Sequence, residues 1–299
     1  MICTPDDLSG YIGKEEKKRR DREFTSSSID KIFRYGSCIG SEMRSFPFLE
    51  RGMEKARCLI REYGEESKSF PSGMVISAES LGAGKGRFQR NWHAPPGGIW
   101  ITVVIVNTLL PRSSRLLPLA AGVACCETAV HFGLPASIKW VNDVQTRGRK
   151  TAGILTETTN FSGEEYVLLG IGINVNNSDF PAELSDSAIS FRDYLGGECD
   201  RKMVLVDLLA KLSWNVGLLH FFEALQLAGE EDSGHPLIRR YNELSDSPGR
   251  RVLFGFNVEE ESQYEAEVLG IDEEGGLQMR ISEEDRIITE YSGEIRYLS

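Results

Sequence analysis

A basic, glycine-rich segment between two apolar runs constrains the fold of this chain more than any other feature. The segment covers residues 82–98 and reads GAGKGRFQRNWHAPPGG. Apolar runs at 74–78 and 99–106 flank it, and both have the length and composition of β-strands. Its glycines let the backbone approach a ligand closely. Phosphate or carboxylate oxygens can be bound by its cations, which are Lys85, Arg87 and Arg90. The pattern predicts a loop that holds an anion attached to a ring.

Two other interpretations of this segment are weaker. A solvated hairpin loop is one, but loops of this length are usually functional or disordered, and the prolines and Trp92 argue against disorder. A P-loop is the other, since Gly84 and Lys85 resemble the end of that motif. The first glycine of a P-loop would have to stand at residue 79, which is Glu79, and Gly86 replaces the final Ser or Thr.

Charge and composition limit the classes of protein to consider. The 299 residues carry a formal net charge of −11, which disfavours general binding to nucleic acid. None of the six cysteines forms a C-x-x-C pair, so a structural zinc site is not expected, and Cys125 and Cys126 are interpreted as buried thiols. We find no apolar run long enough to span a membrane and no signal peptide. These features predict a cytoplasmic protein without a membrane partner.

The chain divides into three regions by composition. Residues 1–31 are polar and highly charged, and we expect a flexible extension rather than a DNA-binding domain. Residues 32–247 mix strand patterns with helical patterns at 51–63, 116–132 and 203–227, which indicates the α+β class. Residues 248–299 hold short alternating runs separated by turns, so we expect a small all-β, barrel-like domain.

Two further polar clusters stand at predicted strand ends. In the first, IKWVNDV (138–144) is followed by Lys150 after a turn. A lysine there can neutralise a phosphate, and Asp143 can hold Mg²⁺. The second is GIGINVN (170–176), whose asparagines can hydrogen-bond a sugar or a base. Taken singly, each residue is equally well explained as a solvent-facing hairpin charge or as part of a buried strand with a polar end.

Together these blocks resemble the biotin protein ligase family, whose catalytic domain is shared more distantly with lipoate ligases. The family's G-R-G-R-x-x-R-x-W-x-S-P-x-G-G corresponds to GKGRFQRNWHAPPGG at 84–98. Its K-W-P-N-D corresponds to KWVND at 139–143, and its K-x-A-G-I-L-x-E to KTAGILTE at 150–157. The G-I-G-I-N-V-N block is intact. The resemblance covers residues 32–299 and implies a mixed-sheet catalytic domain followed by a small SH3-like β-barrel domain.

The resemblance also implies a two-step reaction. Biotin attacks the α-phosphate of ATP to give biotinyl-5′-AMP, and a lysine of a biotin carboxyl carrier protein then displaces AMP. Lys150 and Arg87 would be the catalytic residues, and Asp143 would hold Mg²⁺. Nucleotide contacts would come from Arg90, Trp92, Asn142, Asp143, Asn174 and Asn176. The biotin pocket would be lined by Gly84, Lys85, Gly86, Lys150, Gly153, Gly170 and Gly172. A homodimer is possible by analogy.

The chain departs from the family pattern on the vitamin side. The family's Ser-Thr-Asn at the start of the first catalytic helix corresponds here to Arg51-Gly52-Met53. The family's Gln before the loop corresponds to Leu81. Each lost hydrogen bond to the ureido ring of biotin would cost about 1–3 kcal/mol. Three interpretations remain: a divergent biotin ligase, a ligase for another acid such as lipoate or octanoate, and a binding protein without turnover.

Overall fold

The computed structural model describes residues 3–230, 234–281 and 286–298. The helices in these residues are α1 (Pro5–Tyr11), α2 (Lys17–Arg20), α3 (Ser26–Tyr35), α4 (Gly52–Glu65), α5 (Pro111–Ser114), α6 (Leu117–His131), α7 (Phe191–Leu195), α8 (Arg201–Leu227) and α9 (Pro236–Leu244). The strands are β1 (Met43–Phe46), β2 (Met74–Ala78), β3 (Ile99–Val106), β4 (Ala136–Lys139), β5 (Asp143–Thr146), β6 (Arg149–Phe161), β7 (Glu164–Ile173), β8 (Arg251–Gly255), β9 (Tyr264–Ile271), β10 (Leu277–Ile281), β11 (Arg286–Glu290) and β12 (Glu294–Tyr297).

The larger sheet is mixed and has the strand order β1-β2-β3-β7-β6-β5-β4. Its β1 and β2 run parallel, while the other neighbouring strands pair antiparallel. The second sheet has the order β11-β10-β9-β8-β12 and is antiparallel throughout. The predicted α+β fold, with a mixed-sheet region followed by a smaller β region, is therefore confirmed.

Helices cover both faces of the larger sheet. Val103 of β3 belongs to the main core with α6 and α8, whereas its neighbour Val104 packs in a separate cluster with α4. Successive side chains of a strand point to opposite faces, and the apolar run of β3 supplies both cores. The α4 cluster includes Met53, Ala56 and Leu59, at the helical spacing that the sequence indicated.

Residues 3–31 are folded, which corrects the expectation of a flexible extension over residues 1–31; residues 1 and 2 lie outside the described residues. A π-helical turn (Ile12–Glu16) joins α1 to α2 and places the Glu16 carboxylate in the interior, with 0% of the residue exposed. There Glu16 accepts hydrogen bonds from Arg20 and from Lys211 of α8. The charged residues of this segment have the composition of a solvated chain, but Glu16 also pairs with a residue far away in the sequence, Lys211.

Helix α8 meets the length and composition expected of a membrane span, although the sequence had predicted none. Of its most apolar window, 89% is buried inside the protein. It packs against α3 and α6, and Trp214 contacts the rings of Phe24 and Phe33. The hydropathy of α8 is therefore that of a core helix.

Candidate active site

A cavity of about 380 Å³ lies on the α4 face of the larger sheet, beneath the loop at 82–98. Strands β3, β6 and β7 form its floor, and the turn between β4 and β5 forms one side. Every residue that the resemblance assigned to the site lines this cavity, with the exception of Asn176. The fold thus brings together four sequence blocks that are separated along the chain.

Asn176 lies outside the cavity and connects two loops. Its side-chain amide donates to the Cys199 carbonyl at 2.9 Å and accepts from the Cys199 N–H at 2.9 Å. Its backbone N–H donates to the carbonyl of Gly97, at the end of the glycine-rich loop. These bonds direct the Asn176 side chain toward Cys199, and its assignment to the nucleotide stays a prediction.

Lys150 projects from the start of β6 into the cavity. Its ammonium nitrogen lies 2.6 Å from Oδ1 of Asp143 and 5.2 Å from the centre of the Trp92 indole. The lysine backbone is held on both sides, since its N–H donates to Ser187 and its carbonyl accepts from Ile189. The Asn174 side-chain amide also donates to that carbonyl, at 3.4 Å. The arrangement fixes one cation at the cavity floor.

The Trp92 indole packs flat against two floor glycines. A Cβ added to Gly153 or Gly172 would lie 2.9 or 2.7 Å from the indole, so no side chain fits at either position. The indole Nε1 is buried and has no hydrogen-bond partner among the described residues. Trp92 therefore covers the glycines that the resemblance assigned to the acyl pocket and leaves a buried donor for a ligand acceptor.

Two of the loop cations, Arg87 and Arg90, are held by residues at the start of β12 and just before it. Arg87 donates to the Gly293 carbonyl at 2.7 Å, and Arg90 binds the Glu294 carboxylate through two bonds of 2.8 Å each. Both guanidinium groups also lie over the ring of Phe88, at 5.0 and 5.3 Å. Burial lowers the pKa of Arg87. Glu294 lines the cavity and was not singled out from the sequence.

Two other predicted residues stabilise the loops around the cavity. The Asn142 amide donates to the carbonyl of Ile154 at 2.7 Å, which ties the β4–β5 turn to β6. Lys85 donates to the carbonyl of Gln89 and to the side chain of Asn91, at 3.1 and 2.7 Å. Both side chains can therefore act by holding the backbone around a ligand.

The end of the cavity away from Lys150 is mostly apolar. Met53, Leu81 and Leu155 line it, together with Arg51, whose guanidinium pairs with Glu54 at 2.8 Å. Thr102 of β3 also lines this end and was not singled out from the sequence. It stands in the apolar strand IWITVVIV, where a single threonine gives no signal of function.

The described residues contain no group of three or more His, Cys, Asp or Glu side chains arranged to hold a metal ion. Asp143 nevertheless fits a nucleotide-bound Mg²⁺, because that ion commonly uses one or two carboxylates, substrate phosphates and water. A metal at Asp143 would therefore depend on the nucleotide for most of its ligands.

Comparisons with known proteins show which class of protein has a similar sequence and fold. Residues 58–176 match the Biotin/lipoate A/B protein ligase family. A biotin protein ligase from Aquifex aeolicus, solved in complex with biotin and ATP, superposes with a TM-score of 0.66 at 24% identity. The superposition covers 86% of this chain and 98% of that one, and it establishes the shared fold.

Curated relatives carry the assignment further. The chain is 32% identical over 227 residues to the bifunctional ligase/repressor BirA of Bacillus subtilis, covering 73% of this chain and 64% of that protein. It is 36% identical over 146 residues to a biotin–[acetyl-CoA-carboxylase] ligase of Mycobacterium tuberculosis, covering 47% and 53%. The chain thus spans about half to two thirds of these relatives. Over these ranges it is similar to biotin protein ligases.

Proposed function

We propose that the protein is an ATP-dependent ligase that activates biotin as biotinyl-5′-AMP and transfers the biotinyl group to a lysine of a biotin carboxyl carrier protein. The observation that supports this most strongly is the placement of Lys150 beside Asp143, on a glycine floor and under a basic loop. The Mycobacterium tuberculosis relative is a biotin–[acetyl-CoA-carboxylase] ligase, and the Aquifex aeolicus neighbour is a biotin protein ligase in complex with biotin and ATP.

In the first step the biotin carboxylate attacks the α-phosphorus of ATP, and the bond to the β-phosphate oxygen breaks to release pyrophosphate. The carboxylate is already ionised near neutral pH, so no general base is needed. Cations are needed where negative charge develops. Lys150 would supply one by exchanging Asp143 for the substrate oxygens, and Arg87 would supply another. Asp143 would then be free to bind the Mg²⁺ of the nucleotide.

In the second step the amine of the carrier lysine attacks the anhydride carbonyl. The C–O bond to the phosphate breaks, AMP leaves, and the amine loses a proton. Until then the anhydride has to be kept from water. The loop at 82–98 covers the cavity, and its contacts with Gly293 and Glu294 hold it there.

The remaining assignments follow from position in the cavity. Arg90 would support the phosphates, and Asn142 and Asn174 would hold the nucleotide site through the backbone that they bind. Contact between Trp92 and adenine would require the indole to leave the glycine floor. The reaction would take place in the cytoplasm, and a homodimer is compatible with the fold family.

The apolar end of the cavity favours one other candidate function. Met53 and Leu81 stand where side chains that bind the ureido ring are expected, and an apolar acid such as octanoate or lipoate needs no such groups. The enzyme would then carry out the same two steps on a different acid.

The complete reaction can be tested with purified components. The protein is incubated with ATP, Mg²⁺, biotin and a biotin carboxyl carrier domain, and the carrier is examined by mass spectrometry. We expect one biotinyl group on the carrier, and none when ATP is omitted. An unmodified carrier in the presence of all components would contradict the proposal.

A further inference from the structure

Thr102 is a buried hydroxyl-bearing residue in the cavity wall. It lies on β3, is 3% exposed and faces the cavity at the end away from Lys150. Its hydroxyl has no hydrogen-bond partner among the residues that the structure describes. The residue is almost entirely enclosed by protein but lines the cavity, so a ligand group in the cavity can complete its hydroxyl.

The Thr102 hydroxyl points at the first residue of α4. A Cβ added to Gly52 would lie 2.5 Å from Thr102 Oγ1, which is too close for any side chain. The glycine at position 52 and the threonine at position 102 therefore depend on each other. The oxygen of Thr102 occupies the space in which a side chain at the start of this helix would otherwise lie.

The start of α4 provides hydrogen-bond donors beside this hydroxyl. The helix has 14 residues, and no side chain caps its N-terminus. The first N–H groups of a helix lack partners within the helix and carry partial positive charge. Arg51, Gly52 and Met53 line the cavity, so this helix end borders it. If a ligand carbonyl oxygen accepts hydrogen bonds from these backbone N–H groups, an N–H group next to that carbonyl in the ligand comes within reach of the Thr102 hydroxyl oxygen.

The pairing of the strands sets the distance between Thr102 and Lys150. Thr102 pairs with Gly170, and Gly170 pairs with Leu155. The Lys150 side chain passes over Gly153, with its Cε 3.0 Å from the position of a Cβ there. Gly153 is two strands and two residues away from Thr102, a diagonal of about 12 Å at ordinary strand spacings. An acid with a five-carbon chain and a compact ring system has this order of length.

We propose that Thr102 determines specificity for the head group of the acid, because its hydroxyl hydrogen-bonds the cyclic urea of biotin beside the N-terminus of α4. This inference rests on the proposed function. It explains how a pocket with Gly52, Met53 and Leu81 retains a polar contact for biotin: the hydroxyl is supplied by β3 instead of the helix.

The test compares Thr102→Val with the unaltered protein. Valine keeps the shape and the β-branching and removes only the hydroxyl. We expect the KM for biotin in ATP–pyrophosphate exchange, and the Kd for biotin by calorimetry, to rise about 10-fold, as the loss of one hydrogen bond predicts. The KM for ATP stays unchanged. Competitive inhibition by octanoate, which has no polar head group, also stays unchanged.

Thr156→Val is the matched control. Thr156 has a buried hydroxyl without a partner, but it pairs with Leu169, which belongs to the core on the opposite face of the sheet. Its substitution should leave the KM for biotin unchanged. Thr102→Ser, which keeps the hydroxyl, should bind biotin like the unaltered protein.

Moving the hydroxyl from position 102 to position 52 tests whether the two side chains compete for the same space. Thr102→Ala removes the oxygen, and adding Gly52→Ser then places a hydroxyl on the helix side without the collision. We expect the double variant to bind biotin more tightly than Thr102→Ala alone. Equal Kd values for biotin in Thr102→Val and the unaltered protein would overturn the inference and leave the proposed function intact. Absence of exchange with biotin in the unaltered protein would contradict the proposed function itself.

Discussion

The ammonium nitrogen of Lys150 lies 2.6 Å from Oδ1 of Asp143, at the floor of the cavity. In the absence of ligands this pair compensates two charges that are each about one quarter to one third exposed. A substrate carboxylate or phosphate that displaces Asp143 keeps Lys150 paired and releases an anionic ligand for Mg²⁺. The pair therefore connects binding of the acid with binding of the metal–nucleotide complex.

Substituting Lys150 should remove the chemical step. In Lys150→Ala, no cation remains at the floor to stabilise the charge that develops on the α-phosphate, and we expect ATP–pyrophosphate exchange to fall at least about 100-fold. Lys139→Ala is the matched control. The Lys139 ammonium lies over the ring of Tyr297 and does not line the cavity. Full exchange activity in Lys150→Ala would exclude the role assigned to this lysine.

Arg87→Gly should release the reactive intermediate. The Arg87 guanidinium connects the loop to the Gly293 carbonyl, and without it we expect the loop to cover the adenylate less completely. Biotinyl-5′-AMP would then escape and modify lysines of unrelated proteins. Labelling of serum albumin by the variant, detected with streptavidin, measures the escape. Labelling no greater than that by the unaltered protein would show that Arg87 does not retain the adenylate.

Glu294 should control the mobility of the loop. Its carboxylate holds Arg90 in a two-bond contact, and Glu294→Gln replaces the charge by a neutral amide. We expect trypsin to cleave after Arg87 and Arg90 several times faster in this variant, and ATP with biotin to slow the cleavage. Glu259→Gln is the control, since Glu259 pairs with Arg296 at the surface. Equal cleavage rates in both variants would mean that the Arg90–Glu294 contact does not order the loop.

Glu16 should be essential for attachment of the N-terminal segment. In Glu16→Ala, Arg20 and Lys211 lose a buried counter-charge, and removing one partner of a buried pair typically costs about 3–5 kcal/mol. We expect a loss of that order in the free energy of unfolding, measured with urea. Glu15→Ala, at the exposed neighbouring position, should change it by less than about 0.5 kcal/mol. Similar stabilities of the two variants would contradict the buried network.

The same network should make the fold sensitive to acid. Burial alone would raise the pKa of Asp207, but Lys211, Tyr11 and His131 outweigh it and the pKa is lowered. A carboxyl group whose pKa is lowered by folding stabilises the folded state at any pH above its pKa in the unfolded chain, which is about 4. This stabilisation is lost as the pH falls through the lower pKa of the folded protein. Arg19 faces the same carboxylate. We expect the free energy of unfolding to fall less between pH 7 and pH 2 in Asp207→Asn than in the unaltered protein. An equal fall in both proteins would show that this carboxylate does not cause the acid sensitivity.

The sequence predicted the fold class and the cluster around Lys150, because glycines, cations and strand ends occur there in ordered blocks. It did not predict the structure of the N-terminal segment. Arg20 pairs with Glu127 of α6, and Glu16 pairs with Lys211 of α8. Both partners are more than one hundred residues away, and local composition does not reveal them.

Thr102 and Glu294 were also not assigned a role. Thr102 becomes informative only when Gly52 is seen against its hydroxyl, and Glu294 only when the C-terminal sheet is seen against the loop. For Asn176 the motif suggested a nucleotide contact, whereas in the fold its side-chain amide hydrogen-bonds the backbone of Cys199. A side chain's position in a motif indicates its chemistry, whereas its partner depends on the packing.

The most direct test of the account is ATP–pyrophosphate exchange by the unaltered protein with biotin, lipoate and octanoate in parallel, using radiolabelled pyrophosphate and Mg²⁺. We expect exchange that depends on biotin, with a kcat/KM well above those for lipoate and octanoate. Exchange with lipoate or octanoate but not with biotin would contradict the identity of the acid. No exchange with any of the three would contradict the assignment as a ligase.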